Sequence, residues 1–244
     1  MRIYRFKDFQ TKELNNLQII SRVVLIGLFL LLVALAKMNA QSSRGLSPFD
    51  GISVFGNFEV VLEAGTEDKA TVYAGNIDED KINIFVKQGT LKIQMSTPNQ
   101  LKHDQVKVVV TYQELRKIRA QAGARIYGKE IIQTDNIYIK AASGGRIELD
   151  LQVEALEADA AEGGVVELGG FAKIQRLGAN TGGQFDGYHL DGERVYARAG
   201  TGGSIRANAS ESIDAAANTG GTIEYKGDPK EKNTRTVFGD IRKM

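Results

Sequence analysis

The sequence predicts an all-β fold, a right-handed parallel β-helix over residues 49–240, and three observations carry that reading. A unit of about 19 residues recurs from residue 116 onward. Within each unit apolar and polar residues alternate. Each unit also holds a glycine turn at a fixed place.

Aligned on the first glycine of each turn, the units fall at Gly123, Gly144, Gly163, Gly182, Gly202 and Gly220, with spacings of 21, 19, 19, 20 and 18. The next residue is Ala124 in the first unit, then Gly145, Gly164, Gly183, Gly203 and Gly221. Three residues earlier stands alanine every time: Ala120, Ala141, Ala160, Ala179, Ala199 and Ala217. Three residues later the position is always apolar: Ile126, Ile147, Val166, Phe185, Ile205 and Ile223. Alternation such as Ile137-Tyr138-Ile139-Lys140-Ala141 marks a strand with one buried face. The glycine pair turns the chain, because glycine reaches positive φ without a side-chain clash. A unit this short cannot close a core alone, so it must stack on its neighbours with like residues in columns. The alanine column belongs where the walls approach most closely, since a larger side chain would overpack there. Parallel crossovers are overwhelmingly right-handed, which sets the expected hand. A β-propeller needs four strands in about 40–45 residues, and this unit holds only two or three.

Residues 49–112 lack the glycine pair but contain strand-like runs at 52–55, 58–63, 69–73, 81–86, 90–95 and 106–111. Turns are signalled at Ala64-Gly65, Gly75-Asn76 and Gln88-Gly89. These runs predict irregular coils that begin the stack and cover its open end, where strand edges would otherwise be unpaired. At the other end, Val237, Phe238 and Ile241 are expected to cap the core.

Val23–Ala36 is an uncharged apolar run of 14 residues, short of the roughly 20 that span a bilayer as a helix. A basic stretch precedes it and small residues follow, which is the pattern of a secretory signal. Ala36 and Ala40 both end cleavable triplets, and cleavage after Ala40 is preferred because a polar spacer, 41–48, follows. An uncleaved signal anchor is the other reading, and would be the chain's membrane attachment. Both place residues 41–244 outside the cytoplasm: in the periplasm, on the outer membrane or at the cell surface.

The 31 basic and 30 acidic residues nearly cancel, so no global field draws the chain to nucleic acid. With no cysteine there is no disulfide framework, thiolate metal site or cysteine nucleophile. The two histidines, His103 and His189, stand in polar contexts with no metal-ligand spacing, so both read as surface residues. No catalytic, metal or cofactor-binding residue is expected. Thr181, Thr201 and Thr219, with Ser143 in line, form a hydroxyl column that is expected to satisfy backbone groups at the turns.

The stack itself makes a surface. Six residues before each anchor stand Lys117, Tyr138, Glu157, Arg176, Tyr196 and Asp214; four before stand Arg119, Lys140, Asp159, Gly178, Arg198 and Ala216. Both columns point outward. Opposite charges on neighbouring rungs, such as Lys140 with Asp159 and Glu157 with Arg176, predict cross-strand ion pairs. A solvated, salt-laced face is one reading. The other is a ligand-contact strip of Tyr138, Arg176, Tyr196 and Arg198, facing a surface glycan or an envelope protein.

The opening Phe49-Asp50-Gly51-Ile52-Ser53-Val54-Phe55-Gly56, running on to Val60 and Leu62, resembles the opening motif of the putative auto-transporter adhesin, head GIN domain family. Gly89–Ile93, Val106–Tyr112, the Ser/Thr-Gly-Gly turns and Tyr225-Lys226-Gly227-Asp228-Pro229 are similar as well. The earliest turn departs from the pattern, with Ala122-Gly123-Ala124 in place of a glycine pair. The resemblance implies an exported, non-enzymatic envelope module on a parallel β-helix, and no catalytic residues. The alternative function is a polysaccharide-degrading enzyme on the same scaffold, which would need paired carboxylates in a groove. A structural envelope protein stacking end to end is a third reading.

Overall fold

The computed structural model describes residues 41–73, 79–96 and 106–244. The segment Val23–Ala36 with its cleavage sites, the Gly75-Asn76 turn and His103 lie outside them. Gln41–Met244 forms a compact unit, a parallel β-helix. Among the described residues no helix is long and apolar enough to cross a membrane.

Two stacks of parallel strands share one core. From residue 117 the coils follow chain order. Face A is built from β8 (Lys117–Gln121), the end of β10 (Ile132–Ala142), the end of β11 (Arg146–Ala161), the end of β12 (Val165–Asn180), β14 (Arg194–Gly200), β16 (Ser212–Asn218) and β18 (Glu231–Val237). Face B runs through β9 (Arg125–Gly128), the starts of β11 and β12, β13 (Gln184–Asp191), β15 (Ser204–Asn208), β17 (Thr222–Lys226) and β19 (Asp240–Lys243). The alanine column is exact in register, Ala120–Ala141–Ala160–Ala179–Ala199–Ala217, and each member is at most 2% exposed.

The N-terminal coils depart from chain order. The strands fall where the alternation placed them: β2 (Gly51–Phe55), β3 (Phe58–Ala64), β4 (Lys69–Tyr73), β5 (Ile82–Lys87), β6 (Thr90–Met95) and β7 (Val106–Tyr112). Yet the first coil, β2 with β3, is not the end of the stack. It lies between β6/β7 on one side and β8/β9 on the other. Residues 113–116 carry the chain back past it. Asp68 accepts from the backbone N–H of Gln113 at 3.2 Å, and the Asp50 carbonyl accepts from the N–H of Arg116 at 2.7 Å. The end is covered by antiparallel strands: β5 on β6, β4 on β7, and β1 (Gln41–Gly45, the start of the polar spacer) on β4.

Each coil from β8/β9 to β16/β17 turns between its faces through a type I′ turn, with positive φ at both central residues. Ser143 and Gly144 have φ of 50° and 73°, and the N–H of Gly145 donates to the Ala142 carbonyl at 3.0 Å. So the first glycine of each pair, and the residue before it, take the left-handed conformation. The second glycine is needed for another reason. A Cβ on Gly164 would sit 2.3 Å from the carbonyl oxygen of Ala141 in the coil below. The earliest turn keeps the geometry, with φ of 55° at Ala122 and 82° at Gly123. Ala124 is accommodated there, fully buried, because the coil below turns differently through Gly56 at φ 108°. The hydroxyl column does not do the satisfying. Backbone carbonyls do: the N–H of Gly163 donates to the carbonyl of Thr181 at 3.1 Å, and that of Gly182 to Thr201 at 3.1 Å.

The C-terminal end is closed by polarity, not by an apolar cap. Phe238 is 91% exposed and Val237 60%, because the final turn directs both away from the core; Ile241 alone of the three packs against it. In β18 the inward columns of Ile213, Ala215 and Ala217 continue as Lys232, Thr234 and Thr236. Lys243 continues the column of Tyr225. The Asp228 carboxylate pairs with Lys243 at 3.2 Å and Lys232 at 3.5 Å, and that pairing, Lys243 first, lowers its pKa from the ordinary value. Inward charge on a free edge discourages pairing with a further chain.

Two outcomes follow from these contacts. Gly164→Ala is expected to destabilise the chain by about 2–3 kcal/mol through overpacking against backbone. Gly163→Ala, where a Cβ meets nothing within 4 Å, should cost only the left-handed penalty of about 1 kcal/mol. Urea denaturation midpoints of the two variants distinguish them, and equal losses would refute the close-approach account. The double change Lys232→Ile with Thr234→Ala restores the apolar columns at the free edge. It should increase concentration-dependent self-association in sedimentation velocity; an unaltered profile would show that other features guard this edge.

Candidate ligand-contact face

The outward columns of face A stand as the repeat aligns them. One reads Lys117, Tyr138, Glu157, Arg176, Tyr196, Asp214 and ends at Asn233. The other reads Arg119, Lys140, Asp159, Gly178, Arg198, Ala216 and ends at Arg235; below Arg119 it continues through Ser53 to Lys92 of β6. Strand alternation puts both columns on the solvent side, because their neighbours Ile118, Ile139, Ala158, Leu177 and Ala197 face the core.

Neither expected ion pair forms. Lys140 does not pair with Asp159; the Tyr138 hydroxyl donates to Asp159 instead, at 3.1 Å. Glu157 and Arg176 are register neighbours without an ion pair, because the Arg176 guanidinium lies over the Tyr196 ring, 5.6 Å from its centroid. Arg119 lies likewise over Tyr138 at 5.4 Å. Each tyrosine thus carries an arginine from the coil below, a cation–π contact that orders both side chains. Partial burial, then the Asp159 carboxylate, raise the Tyr138 pKa above its ordinary value, so the phenol stays a donor. Higher up, Arg198 pairs with Asp214 at 2.9 Å, and Arg235 approaches the same carboxylate at 3.6 Å. Arg198 is therefore committed to its neighbour. Tyr196, at 40% exposure, and Arg176 present free surface. A shallow cleft of about 270 Å³ lies beside them, walled by Arg116, Tyr138, Glu157 and Arg176 and floored by Ile137 and Leu156.

Face B is organised differently. Its outward column reads Tyr127, Glu148, Glu167, Asp186, Arg206, Glu224. Most of its charges are spent on each other: Arg146 with Glu167 at 2.6 Å, Arg206 with Asp186, Arg242 with Glu224 and Lys129 with Glu63. A cleft of about 370 Å³ on this face includes Glu148, Asp150, Glu167 and His189. Glu167 is neutralised by Arg146, and no group of three or more His, Asp or Glu among the described residues is arranged to hold a metal ion. His189 is exposed, as expected, although it lies in strand β13 and not in a turn, with its ring edge-on to Tyr188 at 5.0 Å. The strand register shifts here between Glu167 and Gly169, which absorbs the extra residue of the 20-residue coil.

One buried polar residue escaped the sequence reading. Gln175 continues the corner column between Leu156 and Val195 and is fully buried. Its side-chain amide lies 3.3–3.4 Å from the carbonyls of Ala172, Leu190 and Asp191, where β13 breaks off before β14. It satisfies a corner that β11 and β12 round with continuous strand. The odd coil length was the only signal of it in the sequence.

Three crystal structures share this fold. A putative adhesin from Bacteroides fragilis aligns with a TM-score of 0.76 at 23% identity, covering 84% of this chain and 96% of its own. A putative adhesin from Parabacteroides merdae aligns at 0.63 and 14% identity, covering 84% and 95%. A putative lipid binding protein from Parabacteroides distasonis aligns at 0.62 and 18% identity, covering 84% and 96%. No curated protein matches the chain. The model of one family, described as putative auto-transporter adhesin, head GIN domain, matches residues 48–229, and the chain belongs to that family.

Proposed function

We propose that this chain is an exported, non-enzymatic adhesion module that holds a glycan or an envelope protein against face A. The observation that carries the proposal is the contrast between the two faces. Face B charges are largely paired with each other, whereas Lys117, Lys140 and Glu157 on face A have no ion-pair partner among the described residues. Ordered tyrosine rings with arginines laid on them are a feature of contact surfaces, where aromatic residues and arginine concentrate binding energy. Adhesin family membership supports the same reading. Nothing in the face B carboxylate cleft favours the hydrolase alternative, because its best-placed pair, Glu148 and Glu167, includes a carboxylate already bound by arginine.

The strip comprises Tyr138, Arg176, Tyr196 and Arg198. The tyrosines provide the apolar contact and Arg176 a directional donor, while Arg198 fixes the Asp214 end. The turn glycines Gly144/Gly145, Gly163/Gly164, Gly182/Gly183, Gly202/Gly203 and Gly220/Gly221 keep the strip flat by holding every coil to one path.

Two measurements test the proposal. On a panel of immobilised glycans and envelope proteins, the double variant Tyr138→Ala/Tyr196→Ala should lose about five- to thirtyfold in affinity for whatever the parent chain binds. Undiminished binding by the double variant would eliminate the strip. For export, the N-terminal peptide of chain recovered from fractionated cells, read by mass spectrometry, should begin at Gln41 in the envelope fraction. Recovery of an intact N-terminus in the cytoplasmic fraction would refute it.

A further inference from the structure

Resting on the reading of face A as the contact surface, we infer that its ligand is a linear polysaccharide bearing carboxylates, laid along the stack across the strands. The two outward columns from β6 to β18 hold seven cations against three carboxylates, Glu157, Asp159 and Asp214. Two of those carboxylates are occupied, Asp159 by Tyr138 and Asp214 by Arg198 and Arg235. The surplus is free positive charge. Lys92, Lys117 and Lys140 have no ion-pair partner among the described residues, and Arg176 touches only a ring. The whole chain carries a net charge of only +1, so this surplus is concentrated on one face.

The layout points to a polymer. Parallel rungs rise about 4.8 Å each, so the eight intervals from Lys92 to Arg235 extend the cationic column over roughly 38 Å. A small anion would meet one or two of these charges. An extended chain with an acid on successive sugars would meet them in sequence. Tyr138 and Tyr196 stand three rungs apart on the same line and offer apolar surface to sugar rings between the charged contacts. The cleft beside Arg176 interrupts the flat surface midway; its Arg116 wall is taken by Glu114 at 2.6 Å and its Glu157 wall is acidic, so Arg176 is the cation it leaves to a ligand. Binding carried by exposed charge is screened by salt, which distinguishes it from hydrogen-bonded recognition of a neutral glycan.

The test uses the purified chain with polygalacturonate, its fully methyl-esterified form, a neutral glucan and phosphatidylglycerol vesicles, by biolayer interferometry at increasing ionic strength. Polygalacturonate should bind, weaken steadily with salt, and exceed the ester and the glucan by at least about tenfold. The triple variant Lys117→Ala/Lys140→Ala/Arg176→Ala should lose about tenfold or more, while the face B variant Arg146→Ala and the thermal melts of both variants stay near the parent. Equal binding of acid and ester would overturn the acidic class. If the Tyr138→Ala/Tyr196→Ala variant were still impaired in that case, the strip would stand with a neutral ligand. Polygalacturonate binding that ignores the triple variant would overturn the surface. Capture by anionic vesicles without capture by polygalacturonate would replace the polysaccharide with a lipid headgroup.

Discussion

The stack depends on one close approach: the carbonyl oxygen of each column alanine occupies the space where a side chain on the second turn glycine of the next coil would stand. At Gly145, Gly164, Gly183 and Gly203 a Cβ would fall 2.1–2.3 Å from that oxygen. No real side chain survives that distance, so the position admits glycine alone unless the coil below takes another path. Because the approach recurs at the same point of every coil, it locks the rotation of each coil on the last. The strand ladders then inherit their register from the turns. One slipped residue would drive core side chains into solvent on both faces.

The same turns hold residues that dislike their conformation. Thr181, Thr201 and Thr219 are β-branched and sit at φ of 47–53°, a region such residues avoid. What holds them is the hydrogen-bond column running turn to turn, in which each carbonyl accepts from the glycine N–H of the coil below. A single turn of this sequence would not keep that shape. The strain is tolerable only in a stack, which makes the fold a property of neighbouring coils and not of any one unit.

This explains which parts of the architecture were legible in the sequence. Column positions, inward and outward faces and strand extents follow from period alone, so residues as distant as Lys117 and Asp214 could be placed in one line before any coordinates. What period cannot express was not legible. The insertion of β2/β3 between later coils is a matter of which edges remain free, and Asp68 and Asp50 secure it through contacts distant in sequence. The second glycine looked like a conformational requirement when it is a steric one, since both give the same letter. Val237 and Phe238 looked like a cap because they are apolar. The polar replacement of three core columns in β18, visible in Lys232, Thr234 and Thr236, was the better signal. On face A the alignment named the neighbours correctly but not their partners. An arginine beside both a carboxylate and a ring chose the ring at Arg176 and the carboxylate at Arg198, and only side-chain geometry decides between them.

A scaffold of this kind separates the residues that hold it from those that can serve a ligand. Inward positions, turn glycines and the close approach at the alanine carbonyl fix the path. Outward positions touch only the rungs above and below, and each contributes little to stability, roughly 0.2–1 kcal/mol per cross-strand pair. Face A can therefore carry unpaired lysines at small cost, provided that repulsion between them is spread along the column. It is spread in part: Lys117 and Lys140 lie in different columns and Gly178 leaves a gap before Arg198, while the adjacent pair Arg119 and Lys140 is eased because Arg119 turns onto the Tyr138 ring. Face B shows the other solution, in which most charges are answered by a neighbour. The two outcomes appear on opposite sides of the same repeat, built on the same backbone path, so the backbone path does not dictate the difference and the outward side chains are free to set it.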